Sequence, residues 1–341
     1  MTNSERSALV AIAMALILNF STSRAFEVAR GAPMAALETP AGATGCDAFD
    51  LNHDGSVVVG YCDDMPARWI DGKPELLSGP IKIAYADGST SESPVIFGIA
   101  YGINARGTIL GWVISPEQAA AAIWDESDRT WIALSKEKVS KGYDISDSGI
   151  VAGRAGSLGA AVWDRGDVML LDPVPGTDFC LAFTVNNRGV AAGQCVEASG
   201  TIETAVVWRT DGTVDAMLGQ SDGLLTAYGR GISGRGDVVG ILAGAAMLWD
   251  ASDYNPVQLA PLGAANGINS QGDIVGYVGI NGGQGADVPR AVIWRAGTTT
   301  PEPLGTLGGD TSFARAVNES GIVVGNSSDA AGNQTAFVVW P

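Results

Sequence analysis

Short apolar runs rich in Val and Ile alternate along the chain with turns made of Asn, Ser, Asp and Gly. The clearest unit is Ala265–Gly276, in which a turn from Asn269 to Gly272 separates two apolar runs, and Ala291–Trp294 follows after a loop. The same order recurs from near the start of the chain to its end. The alternation therefore belongs to an internal repeat.

The repeat has seven copies, each with a turn, a run closing in glycine, and a run ending in tryptophan. The turns are Asn52–Gly55, Asn104–Gly107, Ser146–Gly149, Asn186–Gly189, Ser233–Gly236, Asn269–Gly272 and Asn318–Gly321. The closing glycines are Gly60, Gly111, Gly153, Gly193, Gly240, Gly276 and Gly325. The tryptophans are Trp69, Trp124, Trp163, Trp208, Trp249, Trp294 and Trp340.

The chemistry of each copy is that of a hairpin followed by two more strands. Asn or Ser favours the first position of a tight turn, and glycine accepts the positive φ that the turn needs. The flanking β-branched residues suit paired strands, and a short fourth run follows each tryptophan except the last. Turn glycines recur every 36 (Gly236 to Gly272) to 52 residues (Gly55 to Gly107), the length of a four-stranded propeller blade. We predict an all-β fold, a seven-bladed β-propeller of four-stranded blades.

The two ends of the chain predict how the ring closes. Pro33–Pro40 resembles the fourth strands but precedes the first repeat, whereas the last repeat stops at Trp340 and Pro341, after its third strand. Pairing the two ends removes an exposed strand edge. We expect the N-terminal strand to complete the last blade.

The first 25 residues have the features of a secretory signal peptide. Arg6 precedes an apolar run from Ala8 to Phe20, and small residues lie at Ser23 and Ala25. A retained anchor is the alternative, but a spanning helix needs roughly 20 apolar residues, which this run does not reach. We expect residues 1–25 to be removed, leaving one propeller domain over 26–341 in a secreted or periplasmic protein.

Charge and residue counts exclude several classes of function. The formal net charge is −17, and no basic stripe is present, so nucleic acid is not an expected partner. Acidity suits solubility in an exported protein, and cation binding is the sharper alternative. The single histidine, His53, lies in a turn, which argues against a catalytic triad or a multi-histidine zinc site. We expect no cofactor, no metal, no integral membrane segment after cleavage, and a monomer.

The four cysteines fall at matched positions in two copies. Cys46 and Cys180 each lie six residues before the turn asparagine, and Cys62 and Cys195 each lie two residues after the closing glycine. Each pair would face across one hairpin, so we predict the disulfides Cys46–Cys62 and Cys180–Cys195. A metal site is the alternative, although no histidine accompanies either pair.

One connection is longer than the others. Residues 78–99 hold two apolar flanks around a Gly- and Ser-rich tip, which predicts an inserted hairpin. Long insertions are often functional, although a tolerated decoration explains this one equally well.

The position after each closing glycine varies among copies and suggests a binding site. Three of these residues are aromatic: Tyr61, Trp112 and Tyr277. Rings near a concave mouth are what glycan or peptide recognition uses, and space-filling between blades is the alternative. We hypothesise that Tyr61, Trp112 and Tyr277 line a site with Asp63 and Asp64 at its rim.

Carboxylates keep an enzymatic alternative open, because glycoside hydrolysis needs only two suitably spaced acids. Acidic residues in the predicted loops of one face are Asp63, Asp64, Asp87, Glu92, Glu117, Asp178, Glu197, Glu203, Asp222 and Asp310. The sequence shows no pair among them. We therefore expect no catalytic residue in particular, favour a binding module for an extracellular glycan or protein, and keep a polysaccharide-active enzyme as the alternative.

The repeat resembles the HAF family of bacterial extracellular repeat proteins. The resemblance is strongest over Leu304–Gly309, Ala316–Gly325 and Ala336–Phe337, and weaker copies cover the rest of the chain after the signal segment. The histidine of the family's His-Ala-Phe signature is absent here. The resemblance implies export and a propeller-like repeat fold, and it implies no catalytic residues.

The cysteine register gives a direct test of the strand assignment. Peptide mapping without reductant should return the pairs Cys46–Cys62 and Cys180–Cys195. A cross-copy pair such as Cys62–Cys195 would contradict the register, because it would join two different blades.

Overall fold

The computed structural model describes residues 33–84, 89–135, 139–157, 159–197, 203–219, 226–281 and 287–340. The predicted signal segment, residues 1–25, lies outside these ranges. Every regular element within them is a β-strand, and the strands form seven sheets, each built on four antiparallel strands. The predicted seven-bladed β-propeller is confirmed. Across the described ranges, no helix is long and apolar enough to cross a bilayer.

Each blade uses its strands in chain order, from the central channel outwards. The first strands are β2 (Cys46–Leu51), β8 (Phe97–Ile103), β12 (Ser140–Ile145), β16 (Phe179–Val185), β20 (Ala227–Ile232), β24 (Gly263–Ile268) and β28 (Gly308–Val317). The second strands are β3 (Val57–Cys62), β9 (Ile109–Ile114), β13 (Val151–Ala155), β17 (Ala191–Val196), β21 (Val238–Leu242), β25 (Ile274–Asn281) and β29 (Val323–Asp329).

The third and fourth strands form the outer half of each blade. The third strands are β4 (Met65–Ile70), β10 (Ala119–Asp125), β14 (Gly159–Asp164), β18 (Glu203–Trp208), β22 (Ala245–Trp249), β26 (Asp287–Trp294) and β30 (Gln334–Val339). The fourth strands are β5 (Lys73–Leu76), β11 (Thr130–Ala133), β15 (Asp167–Leu170), β19 (Val214–Leu218), β23 (Pro256–Ala260), β27 (Glu302–Gly305) and, from the N-terminus, β1 (Ala35–Ala36).

The ring closes as predicted, through a shorter strand than the sequence suggested. In β1, Ala35 pairs with Val338 and Ala36 with Phe337 of β30, and the Leu37 amide donates to the Ala336 carbonyl at 2.9 Å. The Leu37 side chain is buried in the core beneath. Pairing is brief because Pro33 and Pro40 bracket the segment and neither can donate a backbone hydrogen bond.

The inserted hairpin also forms. Its strands are β6 (Ile81–Ala84) and β7 (Thr90–Ser93), and β6 lies parallel to β11, so the second blade has six strands. Ile81 and Ile83 are buried, which anchors the hairpin to the blade.

The tryptophans of the repeat pack between blades. Six of the seven are buried: Trp69, Trp124, Trp163, Trp208, Trp249 and Trp294. The Trp69 indole donates to the Glu38 carbonyl at 2.7 Å, and the Trp208 indole donates to the Asp172 carbonyl at 2.8 Å. The buried rings each cover a large apolar area, and those of Trp69 and Trp208 also fix the backbone outside their own strands through these hydrogen bonds.

Both predicted disulfides are present. Cys46 lies directly opposite Cys62 in the pairing of β2 with β3, and Cys180 lies opposite Cys195 in the pairing of β16 with β17. They staple the first two strands in the first and fourth blades. The strand register predicted from cysteine spacing is therefore confirmed.

Every first strand carries a β-bulge opposite the closing glycine of the second strand, and β28 has a further irregularity between Gly308 and Ser312. In the fifth blade, the register between β20 and β21 shifts between Gly229 and Gly231, with Gly240 facing Gly229. The bulge brings the carbonyl oxygen of Tyr228 so near Gly240 that a Cβ there would overlap it. Close backbone approach, rather than positive φ, explains why glycine closes the second strand.

This constraint predicts the effect of two matched substitutions. Gly240→Ala should destabilise the protein by about 2 kcal/mol or more, because the added methyl group must displace backbone. Gly234→Ala is the control: Gly234 lies in the turn of the same blade, exposed, with open space where a Cβ would be. Equal melting temperatures for the two variants in thermal denaturation would contradict the explanation.

Candidate functional site

A channel of about 640 Å³ runs between the first strands, which supply its wall. Its lining consists mainly of the second half of these strands and the turns that follow them, together with Tyr228 near the start of β20 and Gln194 of β17. A volume of this size is typical of a small-ligand site. The channel is therefore the candidate ligand-binding site of the propeller.

The β-bulges determine which side chains line the channel. Each bulge places one residue on the wall, three positions before the turn Asn or Ser. Around the ring these are Phe49, Tyr101, Tyr143, Phe183, Arg230, Asn266 and Arg315. We call the first four the aromatic arc and the last three the polar arc. Four consecutive blades thus present rings, and the other three present guanidinium or amide groups.

The rings of the aromatic arc contact each other in sequence. Ring centroids lie 5.2 Å apart for Phe49 and Tyr101, 5.9 Å for Tyr101 and Tyr143, and 5.1 Å for Tyr143 and Phe183. The rings are tilted or edge-to-face, an arrangement that aromatic quadrupoles favour. Burial raises the pKa of Tyr101 and of Tyr143, so both phenols stay protonated and can donate hydrogen bonds.

The polar arc is linked by hydrogen bonds on one side. Arg230 Nη1 donates to Asn266 Oδ1 at 3.2 Å, and Asn266 Nδ2 donates to the Ala314 carbonyl at 2.8 Å. The Arg315 guanidinium carbon lies 5.2 Å from the Phe49 ring centroid, where the two arcs meet. Burial lowers the pKa of Arg230, and the nearby Arg315 charge adds to that effect.

Two half-buried carboxylates lie beside the bulges of the first and third blades and tie neighbouring blades together. Asp50 Oδ2 accepts from the Ile103 amide at 2.9 Å, and Asp144 Oδ2 accepts from the Val185 amide at 2.9 Å. Burial raises the pKa of Asp50 to about 8 despite that hydrogen bond, and burial likewise raises the pKa of Asp144. Each acid therefore serves as an inter-blade tie that resists ionisation.

Asparagines in the turns after the first strands join neighbouring turns at the rim of the channel. The Asn186 amide donates to the Ser233 carbonyl at 3.1 Å, and the Asn269 amide donates to the Asn318 carbonyl at 3.1 Å. Asn318 in turn donates to the His53 carbonyl at 3.0 Å, which joins the last blade to the first. His53 is a rim residue, as expected of a turn position.

The three predicted site aromatics form a layer behind the channel wall. Tyr61 lies 6.0 Å from Phe49, and Tyr277 lies 5.0 Å from Phe313, the residue two before Arg315. Trp112 lies 5.9 Å from Phe97 on the neighbouring strand. All three are half-buried and none lines the cavity directly. Their part in binding stays a prediction.

An amine from the protein itself occupies the face of Trp112. The Lys141 ammonium lies 4.2 Å from the Trp112 ring, 5.1 Å from the Tyr101 ring and 5.0 Å from the Tyr143 ring. Burial lowers the pKa of Lys141. Trp112 is thereby connected to the aromatic arc through a cation–π contact.

The two predicted rim acids differ in their surroundings. The Asp63 carboxylate accepts from the Thr44 hydroxyl at 2.8 Å and from the Gly45 amide at 3.1 Å, so it stabilises the chain that enters β2. These hydrogen bonds lower the pKa of Asp63. The Asp64 carbonyl accepts from the Gly98 amide at 2.9 Å and links the first two blades. A ligand contact at either carboxylate stays a prediction.

Sequence reasoning missed the seven bulge residues, although a signal was present. They lie at a fixed offset before the turn, and four are aromatic. Among the residues that the structure describes, no group of three or more His, Cys, Asp or Glu side chains could hold a metal ion.

Comparison with known proteins supports the fold and goes no further. No protein-family model matches the chain. No curated protein sequence matches it either. A chain in the crystal structure of the mitotic checkpoint complex is similar, with a TM-score of 0.52 at 11% identity over 94% of this chain and 95% of that one. A putative TolB from Agrobacterium tumefaciens gives a TM-score of 0.43 at 14% identity, covering 86% of this chain and 89% of that one. At such identities the likeness indicates architecture alone.

The raised pKa of Asp50 predicts a pH-dependent stability. A carboxyl whose pKa is higher in the folded state stabilises below its unfolded value, near 4, and that stabilisation is lost as pH rises through about 8. Asp50→Asn keeps an acceptor for Ile103 but cannot ionise. Its free energy of unfolding relative to the parent protein should therefore rise between pH 5 and pH 9, by on the order of 4 kcal/mol.

Denaturant unfolding of both proteins at several pH values measures this difference. Asp211→Asn is the control, because Asp211 is an exposed turn residue whose hydroxyl partner, Thr213, lowers its pKa. Its effect should be the same at pH 5 and pH 9. A pH-independent difference for Asp50→Asn would show that Asp50 does not resist ionisation.

Proposed function

We propose that the protein is an exported binding module whose ligand, a glycan or a protein segment, enters the central channel and rests on the aromatic arc. The observation that carries this proposal is the run of four aromatic bulge residues on consecutive blades. Nothing in the architecture requires rings there, because the other three blades place Arg or Asn at the same position. Rings exposed to a channel bury a large area on binding at little entropic cost.

The rigidity of the wall supports the same proposal. Carboxylates and amides tie each of several blades to the next, through Asp50, Asp144, Asn186, Asn269 and Asn318. A wall fixed in this way is already ordered before ligand arrives, so binding costs little additional conformational entropy. In this proposal Tyr61 and Trp112 support the aromatic arc, Tyr277 supports the wall near the polar arc, and Asp63 and Asp64 lie at the rim of the site.

Export rests on the sequence and on the disulfides. Residues 1–25 serve as the signal peptide in this proposal, and 26–341 form the mature domain. Two disulfide-bonded hairpins are compatible with the periplasm or the extracellular space, where disulfides persist. The resemblance of the repeat to HAF-type extracellular proteins points the same way. We infer a monomer that binds no nucleic acid.

An enzyme that acts on polysaccharides is the second candidate, and one observation favours it. Asp50 and Asp144 both lie in the aromatic-lined channel, and the charge of Asp144 contributes to the raised pKa of Asp50. Glycosidases use one protonated and one ionised carboxyl group. The hydrogen bonds that both acids accept from neighbouring blades favour a structural role instead. Hydrolysis of any glycan that Asp50→Asn and Asp144→Asn both abolish would reverse this order.

The binding proposal predicts which substitutions weaken a ligand. A glycan and peptide screen supplies the ligand, and titration calorimetry then compares variants. Tyr143→Ala and Trp112→Ala should each weaken binding by about 1–3 kcal/mol, because the first removes a ring of the arc and the second removes its support. Val257→Ala, on the outermost strand β23, is the control and should bind normally.

Thermal melting separates binding from folding. If Tyr143→Ala and Trp112→Ala both fold and still bind the ligand normally, the channel is excluded as the binding site. The inserted hairpin over residues 78–99 would then be the next surface to test.

A further inference from the structure

The two arginines of the polar arc lack the counter-ions that other arginines in this protein have. On the outer surface, Arg68 pairs with Glu75 at 2.6 Å, and Arg295 pairs with Glu302 at 3.3 Å. Among the described residues, neither Arg230 nor Arg315 forms an ion pair with a carboxylate. Acidic residues outnumber basic ones by 37 to 20, so carboxylates are not scarce. Both of these unpaired guanidinium groups line the channel.

Arg315 is also short of hydrogen-bond acceptors. Its Nε is shielded from solvent and has no partner within the described part of the chain. A buried donor left unsatisfied costs free energy that a bound acceptor would restore. A guanidinium satisfies its donors best with a carboxylate, which accepts two parallel hydrogen bonds. A negative charge in the surroundings of Arg315 is the carboxylate of Asp47. Burial raises the pKa of Asp47, and the positive charge of Arg315 opposes that rise.

Building on the function proposed above, we propose that the polar arc binds the carboxylate of an acidic sugar, a uronic or sialic acid at the end of a glycan, while the sugar ring stacks on the aromatic arc. The two arcs meet where Arg315 lies over Phe49, so one ligand can contact both. The Tyr101 and Tyr143 phenols, both in the channel wall, supply donors for sugar hydroxyl groups.

Backbone geometry favours a sugar over an extended peptide. A peptide that binds by strand addition needs a row of free backbone amides on a strand edge. In the channel wall, the Ile103 and Val185 amides are already bonded to Asp50 and Asp144. The rings of the aromatic arc lie in the same wall, and a sugar can stack on a ring without a hydrogen bond to the backbone.

Saturation-transfer NMR and calorimetry on the mature protein test the proposal. The probes are glucuronate, galacturonate and N-acetylneuraminate, with glucose and galactose as neutral counterparts. At least one acidic sugar should bind at least about tenfold more tightly than its neutral counterpart, since a charge-assisted hydrogen bond contributes that much. Arg315→Gln and Arg230→Gln should each weaken the acidic sugar by about tenfold, and the neutral sugars much less.

Two further variants guard against simple misfolding. Arg165→Gln removes an exposed arginine in the turn between β14 and β15 and should leave binding unchanged. Asp47→Asn removes the negative charge near Arg315 and should strengthen acidic-sugar binding by about two- to fivefold. If Arg315→Gln fails to fold, Arg315→Lys and Asp47→Asn decide the question. Arg315→Lys keeps the positive charge but loses the paired N–H donors of the guanidinium, and Asp47→Asn leaves Arg315 itself unchanged.

Three outcomes would overturn the assignment. The first is that none of the acidic sugars binds. The second is that neutral sugars bind equally and are weakened only by Tyr143→Ala, which would keep the channel as the site but remove the role of the carboxylate. The third is that acetyl-Ala-Phe with a free carboxylate binds through Arg315 while the sugars do not, which would make the ligand a peptide terminus.

Discussion

The close approach of two backbones at one point in each blade underlies the architecture and the site together. In six of the seven blades a β-bulge in the first strand presses a carbonyl against the second strand, and only glycine leaves room for it. At Gly111, in the second blade, the Trp131 ring takes that space. The extra residue at the bulge is displaced from the ladder and faces the channel. The same constraint therefore explains why the repeat has a closing glycine. It also creates one channel-facing position per blade whose side chain is not determined by core packing.

Separation of packing from recognition follows from this arrangement. Residues that flank the bulge pack between blades, as Ala48 and Leu51 do in the first blade, and are buried. The bulge residue between them contacts the channel, so its identity can change without repacking the core. Aromatic, amide and guanidinium side chains all occur at this position. A propeller built in this way holds a ring of seven channel-facing positions on a fixed wall, where each side chain contacts at least one of its neighbours in the ring.

Much of the fold could be predicted from the sequence because each blade repeats the same local chemistry. Turn asparagines, closing glycines and tryptophans carry the period, and cysteine spacing carries the strand register. The extent of closure could not be predicted, because the proline pair that limits β1 looks like ordinary strand punctuation. The bulge residues that line the channel could not be predicted from alternation alone. Strict alternation places Tyr61 and Trp112 on the loop-rich face, but a bulge inserts a residue that alternation does not count.

The half-buried acids escaped prediction for a related reason. Asp50 and Asp144 precede turns, where an acid is normally solvated, and they are partly buried against the neighbouring blade. Only the assembled ring shows that their partners are the Ile103 and Val185 amides. Sequence periodicity reports contacts within a blade well and contacts between blades poorly.

The closure of the ring by β1 has a consequence for the order of assembly. β1 precedes all the other described strands in the chain and pairs with β30, which follows all of them, and Asn318 contacts Asn52 across 266 residues. Contacts of such sequence separation form late, because the loop entropy must be overcome before they contribute. Until then the growing molecule is an open arc with one unpaired edge. The channel therefore acquires its full circumference, and both arcs become neighbours, only in the final step of folding.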